Sequence, residues 1–437
     1  MNRLQRLLTF EFYAERFDGF LLGLFIIGVA LLFLSALVGK GRDIIAEGDP
    51  ALQFEYARSI MADGRFPADP IRFPCGVAMI GLAGYAPAFA VAKGLLAAGV
   101  LRPSERLLSG WSLPLQFAYC LPLLVLSFFG FRANLSMLSR LGYGDVVSKA
   151  TILFWIVTTN IGFYVLKEPA RSEGVTYALL SFYYWALIRW YFVTPRERDD
   201  AKPPVTAKVA FQRALFLGVV LGLAGTVRQQ NILHSLSLPL LLLTQRGAAL
   251  GSERRAAFRQ SLLTIVVTAA VSGILFVIPW IPWSYAFGQF RFMSYTEGHF
   301  NWLSPRPWLV LFVPGYHGLF VYHPAFLLAA VGLLMFLRRQ RDLRVTWLVA
   351  IGAQLYLIST WYWLAYGASI GHRGFFTLFP LLLTGFVAFA TWVRERGHAM
   401  LFCGGMWALT ATNAVVTLLI LLRVLDPTWG YPANSGF

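Results

Sequence analysis

Eleven long apolar runs, separated by short polar segments, leave this 437-residue chain few ways to fold. They lie at 17–38, 113–131, 150–166, 174–194, 212–227, 230–245, 261–285, 319–337, 345–362, 374–393 and 399–422. Crossing a bilayer takes about 20 apolar residues, and a lipid-exposed backbone must satisfy its own hydrogen bonds. The pattern predicts an all-α polytopic membrane protein of about 11 transmembrane helices, treated as a single domain over 1–437. Composition agrees: 57% of residues are hydrophobic and 13% charged, against roughly 25% charged in soluble domains. A soluble globular protein and a disordered chain are both excluded.

The start MNRLQRLLTFEFYAERF is basic and amphipathic. It runs into an apolar stretch too long for a cleaved signal sequence, so it reads as a cytoplasmic interfacial helix. A twelfth stretch, 76–98, contains Gly76, Gly81, Gly84, Pro87, Lys93 and Gly94. Basic residues decide its place. If it does not cross and the N-terminus is cytoplasmic, 22 of the 37 Lys and Arg fall in inside segments, as the positive-inside rule requires. We therefore read 76–98 as re-entrant or interfacial. The outer face then carries 39–112, 167–173, 286–318, 363–373 and 423–437. The excess of 16 positive charges reports topology here, not nucleic-acid binding. Cys75, Cys120 and Cys403 are too scattered for a zinc knuckle or a disulfide framework. No Walker motif, internal repeat or inverted pair of broken helices stands out, which weighs against an ATP pump or a secondary transporter.

The polar residues that need explaining all fall on the outer face. Gly48-Asp49-Pro50 opens a helical pattern in which Leu52, Tyr56 and Ile60 share a face. Asp49 reads either as its cap or as a catalytic carboxylate just outside the first span. Lys167-Glu168-Pro169-Ala170-Arg171-Ser172-Glu173 packs four ionisable groups between two apolar runs, either a solvated hairpin of ion pairs or a functional cluster. Arg228, before Gln229-Gln230-Asn231, interrupts an apolar region and reads as a snorkelling residue or a phosphate ligand. The segment from Pro279 to Pro324 is rich in aromatic residues and carries Arg291, Glu297, His299, Arg306, His317 and His323. An interfacial belt accounts for most of its rings; sugar stacking is the alternative. His372-Arg373 follows a glycine-rich turn beginning at Trp361.

Taken in order, these pieces resemble the GT-C superfamily of membrane glycosyltransferases. The likeness is to the bacterial branch with protein O-mannosyltransferases, lipid A aminoarabinose transferases and core galacturonosyl transferases. Asp49 stands where that family has an acidic residue before a helix bearing Tyr and an Ala-Arg pair, here Tyr56-Ala57-Arg58. Phe73-Pro74-Cys75-Gly76 matches its "YP-x-G" element with Phe for Tyr. Glu168-Pro169-Ala170-Arg171-Ser172-Glu173 resembles "EPxxSH", with Glu173 replacing His. Arg228-Gln229-Gln230-Asn231 and His317-Gly318-Leu319-Phe320, followed by Pro324, match two further elements. Trp363, Gly367, Ser369, Gly371 and Arg373 match the last, with Tyr366 for its first glycine. The paired acids of the family are absent, because Pro50 follows Asp49; Glu47 is the candidate second carboxylate.

The resemblance implies a GT-C fold with interfacial helices in the 39–112 loop, and loop 286–318 contributing to the active site. It implies an inverting transfer from a polyprenyl-phosphate-linked sugar to an acceptor hydroxyl on the periplasmic face of a bacterial inner membrane. Asp49 would be the base. Arg228, Arg373, Lys167 and Arg171 would hold the donor phosphate. Glu47, Tyr56, Arg58, Glu168, Glu173, Asn231, His299, His317, Tyr366 and His372 would support acceptor, sugar or site. No cofactor is required, and a divalent metal is compatible. Partners would be the lipid-linked donor, the bilayer and a glycolipid, glycan or exported-protein acceptor, with no nucleic acid. The competing readings are a transporter or scramblase for a lipid-linked or anionic substrate, and a non-enzymatic envelope-assembly protein.

Overall fold

The structure is a computed structural model that describes residues 7–38, 43–45, 49–67, 71, 73–193, 206–245, 252–290, 300–361, 364 and 371–421, without the side chains of 35–38, 245, 252–257, 417, 420 and 421. It is built of helices. No β-strand occurs among the described residues, only an isolated bridge between Phe300 and Trp361. In chain order the helices are α1 (Phe10–Glu15), α2 (Phe17–Val38), α3 (Asp49–Arg58), α4 (Gly76–Ala97), α5 (Glu105–Leu108), α6 (Leu113–Arg140), α7 (Asp145–Thr158), α8 (Ile161–Leu166), α9 (Ser172–Tyr191) and α10 (Ala207–Val227). There follow α11 (Ser237–Gln245), α12 (Ser252–Phe276), α13 (Trp280–Phe287), α14 (Pro307–Phe312), α15 (Leu319–Tyr322), α16 (Ala325–Arg339), α17 (Arg344–Thr360), α18 (Phe379–Glu395) and α19 (Ala399–Leu421).

Eight helical stretches among the described residues are long and apolar enough to cross a membrane. Seven coincide with expected spans; the eighth is Gly76–Ala97. Four expected spans are not among them. The runs at 150–166, 230–245 and 319–337 are broken, at Thr159–Asn160, by a 3₁₀ segment over Gln229–Leu236, and at His323–Pro324. The fourth, α9, is continuous but carries Glu173 and Arg189 among its Tyr and Trp residues. Three of the expected continuous spans are thus interrupted helices.

Side chains repair the breaks, as they must inside a membrane protein. Thr158 and Thr159 donate back to the carbonyls of Phe154 and Trp155, and Asn413 Nδ2 donates to Val157 O at 2.9 Å. At the second break, Asn231 Nδ2 donates to Ala224 O and Gln354 Nε2 to Gln230 O, both at 2.8 Å.

Helices α9 and α18 form the centre and are buried along almost their whole length. Helix α18 packs tightly on α16: an added Cβ at Gly385 would meet Ala329 O at 2.1 Å, and one at Gly332 would meet Gly385 O at 2.0 Å. Leu22 and Ile26 on α2, Val91 on α4, Ile274 on α12 and Leu401 on α19 face outward. That is the surface of a bundle whose solvent is hydrocarbon.

The bundle has two chemically distinct ends. At one, α6, α9, α16 and α18 finish and α7, α17 and α19 begin; Arg140 reaches Phe192 O at 3.3 Å, Gln340 reaches Leu141 O at 3.0 Å, and Arg394 pairs with Glu11 at 2.8 Å. This end gathers the basic loops that the charge rule grouped together. The other end holds the start of α9 and the end of α10. Helix α4 meets partners there: Gly76 abuts the Thr226 backbone and Gly84 lies against Ala118 O. It starts at the level where α10 stops and is long enough and apolar enough to cross a membrane.

Candidate active site

Five chain segments converge at the end opposite the basic loops, and each brings a charge there for a local reason. Asp49 is the first residue of α3, next to Pro50, which suits a helix start. The chain turns sharply after α8, with Arg171 N donating to Glu168 O at 3.0 Å, and places both side chains beside each other. Glu173 sits in the first turn of α9, where the helix dipole favours an acid. Arg228 ends α10 in an extended conformation. Arg373 opens the 3₁₀ turn Arg373–Leu378 that leads into α18.

Their side chains interlock. Arg373 Nη1 donates to Asp49 Oδ2 at 2.6 Å and lies 3.9 Å from Glu173 Oε1. Arg171 lies 3.9 Å from Asp49 and pairs closely with Glu168. Arg228 uses its whole fork: Nη2 pairs with Glu173, Nε donates to Ser172 Oγ at 2.9 Å, and Nη1 donates to Arg373 O at 2.9 Å. Three carboxylates thus face three guanidinium groups.

Exposure separates the acids. The Glu173 side chain is 1% exposed and that of Asp49 28%. Glu168, at 24%, is nearly as open as Asp49, so two carboxylates are reachable from outside while Glu173 is enclosed against the arginines. The side chains of Arg171, Arg228 and Arg373 are each partly open, so the edge of a cationic cluster faces outward.

Other expected site residues fall elsewhere. Arg58 binds Glu55, Asp63 and Ser109 O, a network that fastens the first loop. Tyr56 is buried, with its hydroxyl 3.2 Å from both Ile71 O and Phe73 O. Asn231 mends the break after α10. Lys167 adjoins the cluster in sequence, and its charge acts on Cys120. His372 is fully buried, its Nε2 2.8 Å from Leu364 O, and burial pushes its pKa down to about 3. A neutral imidazole there contributes no charge to the cluster. His317 is buried near His372, in the left-handed region at φ 56°. Glu47, His299 and Tyr366 lie outside the described residues, as do Trp363, Gly367 and Ser369.

Sequence reasoning missed Ser172 as a partner of Arg228, and also Tyr164. Tyr164 is buried within electrostatic reach of Arg171, Arg373, Glu168 and Glu173. Its hydroxyl has no hydrogen-bond partner among the described residues. The signal was its position three residues before Lys167, one helical turn from the polar cluster. Among the described residues, no group of three or more His, Cys, Asp or Glu side chains could hold a metal ion. The cluster's acids are each matched to an arginine, a poor ligand set for a divalent cation.

No protein-family model and no curated protein matches the chain. Among solved structures it is similar to the archaeal oligosaccharyltransferase AglB from Archaeoglobus fulgidus, in complex with an inhibitory peptide and a dolichol-phosphate. The TM-score is 0.50 at 11% identity, over 94% of this chain and 55% of the other. The chain has the GT-C fold. It spans about half the length of that relative, and at this identity the likeness concerns architecture alone. Within the GT-C fold the charged cluster occupies one end of the helical bundle, where Asp49 follows the first long helix.

Proposed function

We propose that the chain is an inverting glycosyltransferase that moves a sugar from a polyprenyl-phosphate donor to an acceptor hydroxyl on the periplasmic face of a bacterial inner membrane. The observation that carries this reading is a partly open aspartate at the edge of three partly open arginines. The dolichol-phosphate bound to the structural relative adds support for a lipid-phosphate ligand.

Asp49 takes the proton of the acceptor hydroxyl, and the oxygen of that hydroxyl attacks the anomeric carbon. The bond from that carbon to the phosphate oxygen breaks, and polyprenyl phosphate leaves with the electron pair. Arg171, Arg228 and Arg373 stabilise the charge that develops on it. A single displacement inverts the anomeric centre. Arg373 plays two parts: it holds Asp49 when no donor is present, and the arriving phosphate competes for it, freeing the carboxylate. The Tyr164 hydroxyl offers a further donor to the phosphate or sugar.

The test is a transfer assay on purified protein with a panel of short-chain polyprenyl-phosphate sugars and candidate acceptors, following release of polyprenyl phosphate. Release by wild type and not by Asp49→Asn supports the reading and identifies the sugar. Release that survives the substitution removes Asp49 as base. The broken helices favour a second reading, a scramblase for a lipid-linked substrate, since interrupted spans recur in transport proteins. Lipid flipping in liposomes without any release would select it.

A further inference from the structure

With the donor taken, as proposed above, to be a sugar on a lipid phosphate, we propose that Glu168 selects the sugar. It accepts hydrogen bonds from hydroxyl or ammonium groups of the ring and admits a neutral or aminated sugar in preference to a uronic acid. The assignment rests on that reading of the site and adds the chemical class of the sugar to it.

Glu168 is fixed by its neighbours in the chain. It follows Lys167, which ends α8, and it precedes Pro169, which disfavours helix at the residue before it. The turn closes with Arg171 N donating to Glu168 O at 3.0 Å. The Arg171 side chain also forms an ion pair with the Glu168 carboxylate. The same side chain lies 3.9 Å from Asp49 Oδ2. One guanidinium thus stands between the two carboxylates of the cluster that are open, Glu168 and the candidate base. A sugar whose anomeric carbon lies near Asp49 would therefore bring its ring within reach of Glu168.

An ionised carboxylate only accepts hydrogen bonds, at about four lone-pair positions. Sugar hydroxyls and a protonated amine can donate to it; a second carboxylate cannot. The charges of the cluster point the same way. Among the described residues, Asp49, Glu168 and Glu173 face Arg171, Arg228 and Arg373. Lys167, next to Glu168 in the chain, adds one further cation, enough to balance the single charge of a phosphodiester. A uronic acid brings a second negative charge. To find a partner it must take Arg171 from Glu168 or Arg373 from Asp49. Glu168 is tethered three residues from Arg171, so it holds that arginine at a high effective concentration. Like charges brought together also repel, which discriminates against the wrong ligand.

The test uses full-length protein in detergent and three short-chain polyprenyl-phosphate donors of one series, carrying glucose, glucosamine or glucuronic acid. Binding of each is measured directly, and transfer separately. Wild type should bind the glucosyl and glucosaminyl donors at least about tenfold more tightly than the glucuronyl donor. Glu168→Gln removes the charge and releases Arg171. It should narrow the gap between the glucosyl and glucuronyl donors by about tenfold, and Glu168→Asp, which keeps the charge, should preserve the order. A structural role would instead weaken all three donors alike and leave their ratios unchanged, and that result overturns the proposal. Glucuronyl binding by wild type as tight as glucosyl binding overturns it without any variant, so a Glu168→Gln protein that fails to fold does not shield it. The two readings separate cleanly. The expected order of binding without transfer from any donor upholds the selection by Glu168 and removes the transferase. Transfer that favours the glucuronyl donor keeps the transferase and removes the selection. Binding of none of the three removes both.

Discussion

Arg373 Nη1 lies 2.6 Å from Asp49 Oδ2, joining residues 324 positions apart in the chain. The aspartate nominated as base is therefore held by an arginine nominated for the phosphate. Asp49→Asn should lower transfer by about 10²–10⁴-fold, the usual loss of a general base. It should bind polyprenyl phosphate as tightly as wild type or more tightly, because Arg373 has lost a competitor. Direct binding measurements beside turnover check both halves; weakened binding would show Asp49 to be a phosphate-site organiser instead.

Glu173 is enclosed and faces Arg228 and Arg373. Removing one partner of a buried pair leaves the other charge uncompensated, at a cost of about 3–5 kcal/mol. Glu173→Gln should therefore lower thermal stability far more than Asp49→Asn does. Arg228→Lys should not rescue an Arg228→Ala defect, because an ammonium cannot reach Glu173, Ser172 and the Arg373 carbonyl together. Melting curves of the four variants in one detergent test this ranking.

Tyr164→Phe deletes a hydroxyl with no partner among the described residues. Its stability should stay within about 1 kcal/mol of wild type. If the hydroxyl bonds the donor, kcat/KM should still fall, by roughly tenfold. Unchanged kinetics would return Tyr164 to a packing role.

Burial sets the pH response of His372. Its pKa of about 3 lies below the ordinary 6.5, so between those values the unfolded chain binds the extra proton. Acidification through that window should destabilise wild type, with no contribution from this group above pH 6.5. His372→Gln should flatten that part of the unfolding profile. A difference curve between the two proteins isolates this group from the carboxylates.

Helix packing offers a test free of chemistry. Gly385→Ala would drive a methyl into the Ala329 carbonyl and should cost at least about 1–3 kcal/mol. Gly273→Ala meets nothing within 4 Å and should be neutral. Equal effects from both would mean that α16 and α18 do not approach as described.

Much of the fold was legible because hydrophobic runs are local. The end of α10, the start of α17 and the polar interruption at Arg228 could be read directly. The break at Thr159–Asn160 could not, because apolar residues flank it and the repair comes from Asn413, far along the chain. The members of the charged cluster were also legible, as ionisable groups beside apolar spans. Their pairing was not: nothing near Asp49 says that Arg373 will meet it. Arg58 shows the opposite error. Its spacing three residues after Glu55 on a helix already signalled a local ion pair, and its position in a family-like order drew it into the site.

The side chain of Arg228 grips the backbone of Arg373, so the site is complete only once the chain has been made through that residue. At about 5–20 residues per second, the span from Asp49 to Arg373 takes roughly 15–65 s to synthesise. Throughout that interval Glu173 has at most one of its two arginines and Asp49 lacks its closest partner. A nascent chain stalled before residue 373 would present an incomplete charged cluster between inserted helices, a form for membrane quality control to recognise.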